Sequence, residues 1–343
     1  MELIIKDPPL SFTIPDDFHY VIYHSMDLNG RAGFVPNEKI KKKLVKFIQE
    51  HNRTSTGNTT ELPVESLERL FLTPCIIVIL FKEEKIIGTI ISLYFRAKYY
   101  KKEINTSYTT FLCVHKDYRK RGLALLLIKA VLKEGYYRYH TFHGCYLTST
   151  PHCKNYNKVK SWYRPINIKR CLECGFILKD FSTNDHNTLI RKRVWYHISK
   201  PKSLPKRVTE EDYDLVIEIL EKRTLDDFYL IPTKQELDWL CKCFDIYTVG
   251  KEGLFFLFPL QSKIESTGRR INHVQLALMI GDLLNHVLWV CKDTDLLYGW
   301  YNGDITVERV EKVKGITTIS ECYLELYNTK NPIEGRNIFI PIF

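Results

Sequence analysis

The chain has 343 residues, 50 Lys+Arg against 40 Asp+Glu for a net charge of +10, and 45% apolar with 26% charged residues. That balance excludes a disordered or fibrous chain, and at about 150 residues per domain it predicts two domains. No apolar run reaches the roughly 18 residues of a spanning helix. Residues 1–9 also lack the basic and long apolar regions of a signal peptide, so the expectation is a cytoplasmic protein with reduced cysteines and no stable membrane insertion. The modest positive charge fits a nucleotide-containing anionic ligand or weak nucleic-acid binding.

Taken in chain order, residues 39–50 carry Ile40, Leu44, Phe47 and Ile48 at near-helical spacing, and residues 63–72 place Leu67, Leu70 and Phe71 on one side of a second helix. Residues 76–79 and 86–91 are dominated by β-branched side chains on either side of a charged turn, which predicts a hairpin of buried strands. A third strand follows over 109–115, then a basic turn, then a Leu- and Ala-rich helix over 123–132. Two prolines and two lysines in 201–206 predict a linker, and Thr209 before Glu210, Glu211 and Asp212 predicts a helix start. Strand signals return at 254–260 and 322–327. Both halves run from helix to strands and back, which suggests one fold used twice.

The sharpest local feature is Arg119-Lys120-Arg121-Gly122-Leu123-Ala124, lodged between a strand and a helix. A helix N-terminus offers unpaired N–H groups and positive partial charge to a pyrophosphate. Gly122 and Ala124 allow close backbone approach, and Arg119, Lys120 and Arg121 add cationic charge. This turn resembles the phosphate-cradling turn of GNAT-type acyltransferases.

Just upstream stands Phe111-Leu112-Cys113-Val114-His115-Lys116. Together with the basic turn it resembles the acyl-CoA-binding core of glycylpeptide N-myristoyltransferases. The resemblance extends along nearly the whole chain. It includes Ile14-Pro15-Asp16-Asp17-Phe18 near the start, Ile86-Ile87-Gly88-Thr89-Ile90, Trp162-Tyr163-Arg164-Pro165-Ile166-Asn167, the segment from Phe228 to Pro232, and Leu326-Tyr327-Asn328-Thr329-Lys330-Asn331-Pro332.

That family implies an α/β fold of mixed sheets with flanking helices, arranged as tandem GNAT-like domains related by a pseudo-two-fold. Residues 1–200 would bind acyl-CoA, and residues 207–343 would form the peptide groove. It also implies transfer of a myristoyl group from myristoyl-CoA, the co-substrate, to the N-terminal glycine amine of peptides or proteins. No metal or further cofactor, no nucleic acid and a monomeric state go with it. The oxyanion hole would come from the backbone N–H groups of Phe111 and Leu112, with a β-bulge to free them from the sheet. The general base would be the terminal carboxylate at Phe343. Phe18, Phe111, Leu112, Cys113, Val114, Arg119, Lys120, Arg121, Gly122, Leu123, Ala124 and Leu125 would line the acyl-CoA site. Tyr146, Thr148, Tyr163, Tyr327 and Asn328 would meet the peptide.

The chain departs from the family pattern at Tyr163, where the family has His, and at Thr318-Ile319-Ser320, where it has Gly-Asp-Gly. Gly122 stands where it has a basic residue. Two alternatives accompany the main expectation: transfer of a shorter acyl group to another amine, and a catalytically dead acyl-CoA or peptide-binding module. Cys171-x-x-Cys174 with Cys145, Cys153, His143 and His152 offers weak zinc spacing, for which core thiols are the plainer reading. A covalent route through Cys113 with His115 as its base is a further option. Aromatic–basic alternation at 99–102 and 136–140 fits solvated element ends better than nucleic-acid stacking.

Overall fold

The computed structural model describes residues 13–27, 30–52, 59–99, 102–141, 143–148, 156–176, 197–222, 228–264, 266–327, 338–339 and 341. The first half comprises β1 (His19–His24), α1 (Glu38–His51), β2 (Thr59–Glu61), α2 (Val64–Leu70), β3 (Cys75–Lys82), β4 (Lys85–Tyr99), β5 (Lys102–Val114), α3 (Leu123–Tyr139), β6 (His143–Thr148), β7 (Tyr156–Pro165) and α4 (Ile168–Glu173). The second comprises β8 (Lys206–Arg207), α5 (Tyr213–Glu221), β9 (Phe228–Leu230), α6 (Lys234–Cys243), β10 (Asp245–Thr248), β11 (Leu254–Lys263), β12 (Arg270–Ile280), α7 (Leu284–Val290), β13 (Leu296–Trp300), α8 (Val307–Lys312), β14 (Ile316–Tyr327) and β15 (Ile338–Phe339). The fold is mixed α/β.

One sheet runs through both halves in the order β1-β3-β4-β5-β6-β14-β7-β13-β12-β11-β10-β8. The halves interlock. β7 is flanked by β14 and β13, and β9 adds antiparallel to β4 through Ala97↔Leu230. Beyond the 201–206 segment, Thr209 and Asp212 form a capping box on a single 3₁₀ turn that leads into α5.

The β3–β4 hairpin forms because its β-branched residues are buried on both faces. One face packs on α3 through Ile76, Val78, Leu80, Ile90 and Leu127. The other packs on α1 and α2 through Ile77, Ile79, Leu44 and Leu67. α3 approaches β4 closely because Gly135 has no side chain: a Cβ there would lie 2.7 Å from the Tyr94 hydroxyl oxygen. Tyr94 in turn stacks on Tyr139 at 4.1 Å. Tyr139 donates to the Met26 carbonyl at 2.6 Å, so Tyr139 is core while Tyr137, Arg138 and His140 around it are exposed.

The same local order recurs in the second half. β4–β5 are antiparallel and β5–β6 parallel, joined through α3; β11–β12 are antiparallel and β12–β13 parallel, joined through α7. Each antiparallel pair carries a register shift.

One buried group makes stability depend on pH. His273 on β12 is 5% exposed beside Ser262 Oγ at 3.2 Å. Burial pushes its imidazole down from 6.5 to about 4. The fold therefore holds it neutral while the unfolded chain takes the proton. Its contribution is complete above pH 6.5 and is lost as pH falls from 6.5 to about 4, a loss of about 3 kcal/mol. Urea unfolding at stepped pH should show this slope, and H273N should reduce it by about that amount.

Candidate active site

The site begins at an interruption in β5. Thr89 pairs with Cys113 and Ile91 with Thr110, so Phe111 and Leu112 together face the single residue Ile90. This is the β-bulge that the family resemblance implies. Phe111 takes φ = +50°, a left-handed conformation rare for a bulky side chain and typical of functional sites. Its ring is buried among the α1-side core residues, whereas Leu112 is 40% exposed. Burial of the ring holds the left-handed backbone in place.

The opposite edge of β5 opens at the same level. Its parallel pairing with β6 runs from Thr106↔His143 to Thr109↔Tyr146, while β5 continues to Val114. The bulge and the end of this pairing together set Phe111 and Leu112 at a split in the sheet. Amides in such a place can turn toward a ligand.

Past Val114 the chain makes a 3₁₀ turn over Lys116–Tyr118, capped by His115, whose Nδ1 accepts from the Asp117 N–H at 3.3 Å. Lys120 (φ +63°) and Gly122 (φ +75°) then bend it into α3. Gly122 is the N-cap and gives no side-chain cap, and the first turn of α3 holds no acid. The initial N–H groups of the 17-residue helix thus lack intrahelical partners. A Cβ on Gly122 would meet nothing within 4 Å. The glycine therefore serves its left-handed backbone and leaves open space outside it.

The three cations of the turn differ in role. The Arg119 guanidinium donates to the Val114 carbonyl and to the His51 carbonyl, both at 3.1 Å, and so pins the turn to the last residue of α1. Lys120 and Arg121 are exposed, with the Arg121 guanidinium 5.1 Å over the Tyr118 ring. Phe18 packs edge-on to Tyr118 at 6.0 Å, and Lys82 lies over both rings. The structure thus brings Phe18 from the start of the chain to the basic turn. Leu123 is buried under the helix, Ala124 is half-buried and Leu125 is 56% exposed.

The His51 and His115 rings meet at a tilt of 46°, their centroids 4.4 Å apart. Burial first, then the facing His115, holds His51 below its ordinary value; burial first, then Lys85, does the same for His115. Cys113 is 2% exposed, and burial pushes its thiol up to about 12. A thiol so protonated and covered is no nucleophile, which removes the covalent route.

The matching turn of the second half reads Gly281-Asp282-Leu283 before α7. The Gly281 N–H donates to Asp304 at 2.8 Å. That turn holds no basic run, its acids are paired with Arg309 and its amide is internally used, so among the described residues the cationic turn before a helix belongs to the first half.

On the far side of the split, β6 pairs with β14 through Tyr146↔Glu325 and Thr148↔Tyr323. Tyr146 and Thr148 share a face, and both hydroxyls donate to Glu325: Tyr146 to Oε2 at 3.0 Å and Thr148 to Oε1 at 2.9 Å. Glu325 is fully buried. The sequence reading passed over it, although a lone acid in the strand Tyr323-Leu324-Glu325-Leu326-Tyr327 was a visible signal. Tyr163 lies elsewhere, on β7 against Phe176 at 5.3 Å. Tyr327 ends β14. Asn328 and Phe343 lie outside the described residues, as do His152 and Cys153.

Among the described residues no three His, Cys, Asp or Glu side chains gather as metal ligands would. The Cys171 and Cys174 thiols are buried and donate to the carbonyls of Asp295 and Arg270.

Residues 71–151 match the family described as myristoyl-CoA:protein N-myristoyltransferase, N-terminal domain. That stretch contains the hairpin, the bulge, the basic turn, α3 and β6. No curated protein matches the chain in sequence. Among solved structures, one of Saccharomyces cerevisiae N-myristoyltransferase with bound myristoyl-CoA superposes with a TM-score of 0.77 at 16% identity, covering 99% of this chain and 87% of that one. A second structure of the yeast enzyme with myristoyl-CoA gives 0.76 at 17%, covering 99% and 92%. A third, with myristoyl-CoA and inhibitors, gives 0.75 at 18%, covering 96% and 84%.

Proposed function

We propose that this chain, a member of the N-myristoyltransferase family by its N-terminal domain and its fold, moves a myristoyl group from myristoyl-CoA to the N-terminal glycine amine of peptides or proteins. The observation that carries this reading is the Phe111–Leu112 bulge at a split in the sheet, directly followed by an uncapped helix N-terminus behind a basic turn. The α3 amides with Lys120 and Arg121 hold the CoA phosphates. The thioester carbonyl then rests on the freed N–H groups of Phe111 and Leu112. The glycine ammonium first gives one proton to the proposed base, the terminal carboxylate at Phe343; the neutral nitrogen attacks that carbonyl carbon and gives up its second proton to the departing sulfur. Negative charge gathers on the oxygen facing the two N–H groups, the C–S bond breaks and CoA leaves as its thiol. The inert Cys113 supports direct attack without an acyl-enzyme.

The peptide enters from the β6–β14 side, where Tyr146 and Thr148 stand. Among the described residues nine cysteines are free, seven of them buried, which supports a reducing, cytoplasmic setting. No helix among the described residues is long and apolar enough to cross a membrane. The reading is of a monomer with no nucleic-acid partner.

CoA release tests this directly, with a Gly-initiated peptide and its Ala-initiated twin, each offered with myristoyl-CoA and with acetyl-CoA. Release confined to the Gly peptide and myristoyl-CoA is the expected result. Equal or faster release from acetyl-CoA would mark a short-chain transferase. Tight acyl-CoA binding without release would mark a binding module.

A further inference from the structure

α1 carries Lys39, Lys42, Lys43 and Lys46. Spaced three and four apart, they share one side of the helix, while Leu44, Val45, Phe47 and Ile48 on the other side are buried in the core. Lys39, Lys42 and Lys46 are exposed and Lys43 is half-buried. The acids of the helix leave this strip cationic. Glu38 bonds Lys41, which lies off the strip, at 2.7 Å. Glu50 stands 3.9 Å from Lys46 at the far end. Among the described residues Lys39, Lys42 and Lys43 form no ion pair.

Two large apolar side chains stand exposed just before the helix, Phe34 at 59% and Val35 at 45%. Phe34 stacks on Tyr23 at 5.1 Å, and Tyr23 belongs to the α1-side core. The apolar pair therefore flanks the start of α1 on its own side of the sheet. At its other end α1 finishes against the basic turn, where the His51 carbonyl accepts from Arg119. Lys116, Lys120 and Arg121 of that turn are exposed as well.

We infer that the solvent side of α1 is a docking surface for an anionic phospholipid membrane, with the lysines against the headgroups and Phe34 and Val35 entering the interface. Lysines clustered on a helix are drawn to a negatively charged leaflet, and neighbouring apolar side chains gain burial at the headgroup boundary. A phosphate backbone would use the lysines equally well but offers no apolar layer to Phe34 and Val35. Docked this way, the protein brings its basic turn to the surface into which a fatty-acyl donor partitions. The docking itself does not depend on the proposed reaction.

Co-sedimentation with vesicles tests the inference, using phosphatidylcholine alone and phosphatidylcholine mixed with phosphatidylserine. Binding only to the mixed vesicles, weakened by salt, is the expected result. K42Q/K46Q should lower the affinity about 30-fold, and K39Q/K42Q/K43Q/K46Q should abolish binding. F34S should cost about 10-fold without changing the charge. These side chains face solvent, and the Kd for myristoyl-CoA in free solution reports whether each variant is folded. That Kd should stay within about two-fold of the wild type, since charges beyond a Debye length are screened. No binding, equal binding to both vesicle types, or wild-type binding by the lysine variants overturns the inference. An equal loss in the myristoyl-CoA Kd also overturns it, by making the strip part of the CoA cradle. Tighter binding to duplex RNA than to the mixed vesicles, with F34S unaffected, would assign the strip to a nucleic acid and overturn it too.

Discussion

Replacing the backbone amide of Leu112 by an ester, through incorporation of the α-hydroxy analogue of leucine, lowers kcat by about 100- to 1,000-fold, as loss of one oxyanion donor does elsewhere. The exchange removes one N–H and leaves the side chain, the bulge and the basic turn in place. Binding of myristoyl-CoA should change far less than kcat, because the charge on the carbonyl oxygen develops only on the way to the transition state. L112A is the control. Its side chain is 40% exposed, and the proposed role belongs to the N–H. A rate unaffected by the ester would place the oxyanion donors elsewhere.

Charge reversal at the turn has the next largest effect. Lys120 and Arg121 are exposed at the uncapped start of α3. At about 1 kcal/mol per close charge pair in water, K120E/R121E should weaken myristoyl-CoA binding by about 3 kcal/mol, roughly 100-fold. The deficit should shrink at high salt. Arg119 answers differently despite its place in the same motif. Its guanidinium is committed to the Val114 and His51 carbonyls. R119A should therefore act mainly on stability, by about 1–2 kcal/mol, with a smaller loss of CoA affinity. Isothermal titration with myristoyl-CoA and a urea melt of each variant separate the two roles. Equal affinity losses in both variants would contradict this division.

The three basic residues show the limit of motif reading. In sequence they form one cationic run, and all three were assigned to the phosphates. Only the fold shows that one of them, the exposed Arg119, reaches across to the end of α1, because the partner carbonyl of His51 lies 68 residues away.

Local chemistry alone determined a great deal here. β-branched runs separated by Lys82-Glu83-Glu84-Lys85 form a hairpin in any setting that buries them. The Leu- and Ala-rich stretch after Gly122 becomes α3, and glycine at the left-handed helix start opens its amides to an anion. The bulge was expected at Phe111 and Leu112 from the resemblance, since paired strand amides have no donors to spare. These features are written within a few residues of one another. What only the tertiary structure decided is which distant strands become neighbours. β14 lies between β6 and β7, and so carries Glu325 across 177 and 179 residues to the hydroxyls of Thr148 and Tyr146. It leaves Tyr163 on β7, packed against Phe176 instead. Strand neighbours are chosen by which faces can be buried together, a property of the whole sheet that no window of sequence contains.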